Sequence, residues 1–296
     1  MQSTRRLSGR ILEFFIEKAI FLAGILSIIF VVLIFIFLLK EGLSLFKTYS
    51  PFSFLFGSQW YPISTPARFG IIPLLAGSLA VTLGAIVIAV PLGLAVAIYI
   101  AEIAPLWLRD ILKATVEFLA AIPSIVLGFI GLVTLSPMVK EIFHLPTGLT
   151  ALSGSIMLAF MAMPTIVSMM EDALTAVPRS YREGALALGA TPWQTIWRVL
   201  LPAASSGMLA AVMLGIGRVI GETMAVMMIT GNAAQIPTTL LVPVRTMTAT
   251  IAAEMGEAVH GSEHYYALFS IGIVLFCITF VINLTASFFI KGKRKK

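Results

Sequence analysis

Charge is what this 296-residue chain has least of. Only 11% of its residues are Asp, Glu, Lys or Arg, against roughly a quarter in soluble globular domains. That scarcity excludes a soluble fold, and the uncharged runs identify an all-α polytopic membrane protein. Cysteine is nearly absent. The single Cys277 lies in an apolar run, so there is no disulfide framework and no thiolate metal site. Histidine is limited to His144, His260 and His264, each expected as a solvated side chain in an external loop. No GxxxxGKS or GxxxxGKT, HExxH or GxSxG occurs, and no Ser-His-Asp set stands at usable spacing. The chain is therefore expected to hold no cofactor or metal and to catalyse nothing itself. Its net charge of +6 raises nucleic acid as a partner. The basic residues gather at the ends of apolar runs rather than in one stripe, so membrane topology explains them and no nucleic-acid partner is expected.

Six apolar runs follow one another. The first, residues 19–39, comes after Arg5, Arg6, Arg10 and Lys18 and covers roughly 30 Å as a helix. Its apolar core is too long for a leader, and no small-residue cleavage site follows, so it reads as a retained span. Residues 41–69 are rich in Tyr, Trp, Phe and Pro and read as a loop at the membrane interface. Residues 70–101 are the second span, with Pro73 as a lead-in and Pro91 as a kink. Residues 102–117 form a short polar connection carrying Arg109 and Lys113.

The third span covers 118–139 and contains Pro123-Ser124, and the fourth covers 147–170 and contains Pro164-Thr165. The fifth runs over 203–229, an external stretch over 230–264 follows, and the sixth runs over 265–290. The expected organisation is a first helix with its external loop over 1–69, then a core of five transmembrane helices over 70–296. Lys and Arg crowd the side that holds both termini and the 171–202 connection. The opposite side carries Lys40, Lys47, Arg68, Lys140 and Arg245. Excess basic charge stays cytoplasmic, which puts both termini and the 171–202 connection there.

Within that connection, residues 179–202 read RSYREGALALGATPWQTIWRVLLP. Ser180 and Glu183 have capping-box spacing and predict a short helix from Tyr181 to about Leu188. Gly189 supplies a left-handed exit. Thr191 with Gln194 repeats the box around Pro192, and a second helix is expected to run to Leu201 and stop at Pro202. Two short helices at an angle on a membrane surface make a knob for another protein to grip. Glu183, Gly184, Ala185, Gly189, Val199, Leu201 and Pro202 resemble the loop called EAA in type I ABC importer permeases, with Gly184 in place of an Ala and Val199 in place of Ile. The resemblance implies the six-helix MetI-like fold. It further implies that Arg179, Ser180, Tyr181, Arg182, Glu183, Gly184, Ala185 and Gly189 form a coupling helix inserted into a groove on an ATPase subunit.

The fifth span reads GIGRVIGETMAVMMITGN and places Arg218 and Glu222 four residues apart, on one helical face if the helix is unbroken. A charge at mid-bilayer costs about 2.5–3.5 kcal/mol or more, so it persists only inside protein or on a wet path. Two readings are open: an ion pair locking helices together, or an anion site in which Arg218 offers a planar fork to oxyanion oxygens. In the second, Glu222 accepts a hydrogen bond from a protonated anion such as phosphate and repels sulfate, which has no proton to offer.

Over residues 61–232 the chain is similar to the permease subunits of bacterial phosphate importers, the PstC family. That resemblance assigns Arg218 and Glu222 to the substrate path, which Ser124 and Thr165 would also line. It implies a sister permease subunit PstA, two copies of an ATPase subunit PstB carrying ATP and Mg, and an external phosphate-binding protein PstS. It also implies location in the bacterial inner membrane, against lipid. The alternatives are the sister subunit itself, a sulfate or molybdate permease, and a passive anion channel or secondary carrier. No internal repeat of the kind carriers show is evident.

Overall fold

In the computed structural model, which describes residues 2–293, six helical segments are long and apolar enough to cross a membrane: Ile16–Lys47, Ile72–Ile103, Ser124–Ile142, Ala151–Thr175, Pro192–Gly221 and Glu263–Thr285. Arg294, Lys295 and Lys296 of the basic tail lie outside the described residues. In chain order the elements begin with α1 (Gln2–Ser44), α2 (Pro51–Phe56), a hairpin of β1 (Trp60–Tyr61) and β2 (Arg68–Phe69), α3 (Ile72–Ile98) and α4 (Leu106–Ala120). They continue with α5 (Ser124–Ile130), α6 (Ser136–Ile142), α7 (Ala151–Thr175), α8 (Arg179–Ala187), α9 (Pro192–Thr195) and α10 (Leu201–Gly221). The last three are α11 (Met224–Ile229), α12 (Met247–Glu254) and α13 (Glu263–Lys293).

The core is built where small side chains let helices approach closely. Gly77, Val81, Ala85, Ala89, Gly93 and Ala97 recur every fourth residue of α3, and all are buried. They form a stripe of short side chains along one face. Against it lie α7 and α10: a Cβ on Gly93 would come within 2.9 Å of Ile166, and one on Gly215 within 2.6 Å of the same side chain. Val81, Ala85, Ala89, Leu158, Ala159, Ala162, Ile166, Met170, Ala211 and Val219 close this cluster. Helix α1 packs along α13, and Ser270 donates from α13 to the Gly42 carbonyl at 2.7 Å.

Three turns of π-helix interrupt the helices, at Tyr99–Ile103, Gly131–Leu135 and Ile196–Leu200. Each closes with an N–H reaching back five residues, Ala104 to Tyr99, Ser136 to Gly131 and Leu201 to Ile196. In each case the next residue is a proline: Pro105, Pro137 or Pro202. Proline lacks the N–H of a normal turn, and its ring would strike the carbonyl four residues back. The widened turn takes it past that carbonyl.

Pro202 therefore does not end the second short helix as expected. Residues 192–221 form one helical rod, with Pro202 in the first turn of α10. The polar connection over 102–117 is corrected as well, because most of it is the helix α4. The third span begins at Ser124 rather than at residue 118, since Pro123 separates it from α4.

The aromatic loop after α1 is also more ordered than a run of interfacial rings. Leu45, Phe54, Trp60, Phe69, Ile71 and Leu74 are fully buried with Met247 and Leu268, so the segment is a packed cap on one end of the bundle. A tight approach holds the short connection before α7, where a Cβ on Gly148 would fall 1.7 Å from the Ser136 carbonyl oxygen. Backbone cannot yield there as a side chain can, so Gly148→Ala is expected to lower stability by about 1–3 kcal/mol or more. Thermal unfolding in detergent checks this against the neutral control Gly24→Ala, whose added methyl meets nothing within 4 Å.

Candidate functional site

The segment between α7 and α10 stands out from the bundle as an exposed knob. Tyr181 and Leu188 are 53% and 90% exposed, and Glu183 is exposed with no polar partner among the described residues. Gly189 has φ +84 with open space around it, the left-handed exit expected of it. Thr191 and Gln194 form the reciprocal box: the Gln194 N–H donates to Thr191 Oγ1 at 3.2 Å, and the Thr191 N–H to Gln194 Oε1 at 3.0 Å. Ser180 does not cap α8. The helix starts two residues earlier, at Arg179, with Pro178 in extended conformation at the N-cap and no side chain on the first-turn amides. Proline sets the φ that launches the helix, which places Ser180 inside it.

Within the membrane, α10 ends at Gly221, and Glu222 is extended (φ −69, ψ 132). Arg218 and Glu222 therefore do not share a helical face, and no ion pair joins them among the described residues. The break has local partners. Glu222 Oε1 accepts the Ala225 N–H at 3.3 Å, and its carbonyl accepts the Thr248 hydroxyl at 2.8 Å. Thr248 thus supplies from α12 the hydrogen bond that a further turn of α10 would have made.

Arg218 stands on the other side of the helix. Leu214, Gly217, Arg218 and Gly221, spaced three and four apart, are all exposed, and nothing lies within 4 Å of a Cβ built on Gly217 or Gly221. Arg218 has no polar partner among the described residues. The face opposite, through Gly215 and Val219, is buried against the core. Thr165 is half-buried beside Ile166, the residue that seats Gly215. Ser124 is half-buried one turn before Gly128, which packs on Ala225 just past the break.

A second group of charges, missed in the sequence, ties the knob to the bundle. Glu171, near the end of α7, is 2% exposed. It accepts from Arg109 Nη2, from Lys113 Nζ at 2.7 Å and from the Thr175 hydroxyl at 3.0 Å. Asp172 adds a 3.1 Å contact to Lys113. Glu102, with 6% of its side chain exposed, pairs with Arg182 of α8. The hydrogen bond that Lys113 donates to Glu171, with Asp172 beside it, raises the Lys113 ammonium above the ordinary lysine value. Its stabilising contribution is thus complete below the ordinary lysine pKa and is lost only as pH climbs through the raised one. The signal was present as the adjacent acids Glu171 and Asp172 at the close of the fourth span, with Arg109 and Lys113 as basic residues after the second.

At the other end of the bundle, Glu254 joins three elements. It accepts from Trp60 Nε1 at 3.1 Å, from Arg245 and from His264 Nε2 at 2.9 Å. His264 is thus held in the first turn of α13 rather than solvated. A cavity of about 510 Å³ opens beside this group, lined in part by Tyr61, Ile63, Glu257 and His264.

An exposed knob thus stands between two packed spans, and Arg218, with no polar partner among the described residues, stands on an exposed helix face. The chain belongs to the binding-protein-dependent transport system inner membrane component family, whose profile matches residues 89–295. It is 41% identical to the probable ABC transporter permease protein YqgH of Bacillus subtilis (strain 168), over 89% of this chain and 86% of that protein. It is 33% identical to the phosphate transport system permease protein PstC of Pasteurella multocida (strain Pm70), over 99% of this chain and 96% of that protein.

Its fold is that of solved ABC importers. A bacterial alginate ABC transporter matches with TM-score 0.62 at 20% identity, over 89% of this chain and 91% of that one. An inward-facing MetNI methionine ABC transporter matches with TM-score 0.56 at 23% identity, over 75% and 94%. The chain is a multi-pass membrane permease with the six-helix MetI-like fold.

Glu171 cannot keep its charge in the bundle without its basic partners. The double variant Arg109→Ala/Lys113→Ala leaves it buried with no countercharge and is expected to cost about 3–5 kcal/mol. Unfolding in detergent measures the loss, and adding Glu171→Leu should restore most of it.

Proposed function

We propose that the chain is the transmembrane permease subunit of an ATP-driven importer of inorganic phosphate in the bacterial inner membrane, moving phosphate inward by alternating access. The carrying observation is Arg218: a guanidinium with no polar partner among the described residues, on an exposed face of a spanning helix, in a chain similar end to end to a named phosphate permease. Leaving a cation unpaired in a bundle is costly unless water or an anion reaches it. A sister permease, PstA, completes the path over that face. Glu222 lies at the break beyond, with one carboxylate oxygen engaged by Ala225 and the other left to receive the proton of a monohydrogen or dihydrogen phosphate. Ser124 and Thr165 lie at the margins of the same region.

Both termini face the cytoplasm in this reading, and two PstB ATPase subunits bring ATP and Mg to the knob. Their groove grips α8 on its outward side, at Ser180, Tyr181, Glu183, Gly184 and Ala185, while Arg179 and Arg182 brace the helix on the bundle side, with Gly189 setting the exit. Closure of the ATPases pulls α8, and α7 and α10 carry that motion to Arg218. The cap formed by the hairpin, α12 and the start of α13 meets the phosphate-binding protein PstS outside. The chain itself supplies no catalytic group.

Labelled-phosphate uptake by the assembled complex in vesicles tests the reading. Arg218→Gln should abolish uptake with the complex intact, and Glu222→Gln should admit sulfate; full uptake by Arg218→Gln would overturn the anion site. Gly189→Val meets no neighbour, so its cost is the left-handed conformation, about 1–2 kcal/mol. It should leave the protein in the membrane, detach the ATPase and end uptake.

A further inference from the structure

Between α8 and the bundle lies a second, smaller cavity of about 100 Å³. Three arginines line it: Arg109 from α4, and Arg179 and Arg182 one turn apart on α8. Thr175 and Glu102 complete its polar wall. Glu102 is committed to Arg182, and Glu171, behind the wall, is committed to Arg109, Lys113 and Thr175. Two features are left without a partner. Arg182 Nε–H is buried and donates to no acceptor among the described residues, and Arg179 has no polar contact among the described residues. The first turn of α8, with no capping side chain, stands at the same place. Arg109 is answered by Glu171 and Arg182 by Glu102, so Arg179 brings the cavity one guanidinium without a countercharge among the described residues, and planar N–H forks match a tetrahedral oxyanion. The space is about that of three waters, room for a free phosphate and not for a nucleotide.

We propose that this cavity is a cytoplasmic binding site for inorganic phosphate, which bridges Arg109 to Arg179 and Arg182 and thereby clamps the coupling helix to the bundle. The physiological occupant rests on the transport reading above, whereas the oxyanion chemistry rests on the arginines alone. An anion held there fills the open donor of Arg182 and links α8 to α4, so phosphate accumulating inside restrains the element that ATPase closure must move. Internal product then slows its own import.

Arginine modification by phenylglyoxal tests the site in the assembled importer in nanodiscs, carrying Arg218→Gln so that the proposed membrane path holds no anion. Peptide mass spectrometry reads the modification rate at Arg179 and Arg182, with exposed Arg198 and Arg68 as internal controls. With phosphate at roughly ten times its dissociation constant, both cavity arginines should be modified about tenfold more slowly. Chloride at equal ionic strength should not protect them, and the controls should not change. Arg109→Lys keeps a positive charge for Glu171 but removes the fork, and should abolish the protection. With Arg218 intact, phosphate should also slow ATP hydrolysis more in the native complex than in the Arg109→Lys complex. Equal rates with and without phosphate, equal protection by chloride, or protection that survives Arg109→Lys would each overturn the site. Uptake measured in parallel separates the two readings, because protection without any phosphate uptake would remove the transport substrate and leave the anion site standing.

Discussion

Everything in this molecule hangs on how closely α3, α7 and α10 approach one another. The four-residue ladder of Gly77, Val81, Ala85, Ala89, Gly93 and Ala97 gives α7 a shallow surface, and Ile166 fills the space over both Gly93 and Gly215. In lipid no hydrophobic force drives helices together, so this fit of small residues against larger ones does the holding. In the proposed function, a displacement of α8, set between α7 and α10, passes through these close contacts to the helix that carries Arg218.

The charges divide by whether the fold answers them. Glu171 and Glu102 are nearly fully buried, and each is met by basic side chains from another element, which offsets the large cost of removing a carboxylate from water. These pairs fasten α4 and α8 to α7 and α3. Arg218 is treated differently. Its helix turns the small, packed face inward and leaves the arginine exposed, with no polar partner among the described residues; the proposed function brings it a partner from outside the chain.

Much of this was legible in the sequence, because span length, the left-handed Gly189 and the Thr191–Gln194 box follow from local chemistry. What escaped was set by tertiary contact. Pro202 read as a stop, yet a π turn carries the helix through it. Glu222 read as one turn beyond Arg218, yet the Thr248 hydroxyl from α12 takes its carbonyl and lets the helix end at Gly221. Residues 102–117 read as a polar connection because their charges were counted without their period. Arg109 and Lys113 lie four apart and share the face that meets Glu171. The ladder in α3 was there to be found, since small residues every fourth position are a packing signal in any membrane helix.

Water access to the bare face of α10 tests the central claim most directly. With Cys277 replaced by Ser, single cysteines at Gly217 and Gly221 can be compared with one at Val281, which is 60% exposed on α13 and faces lipid in this account. In the assembled importer a membrane-impermeant thiol reagent should label the Gly217 and Gly221 positions, with phosphate slowing the reaction, and should leave position 281 unlabelled. If positions 217 and 221 are as inert as 281, that face looks onto lipid or a dry interface, and Arg218 greets no passenger.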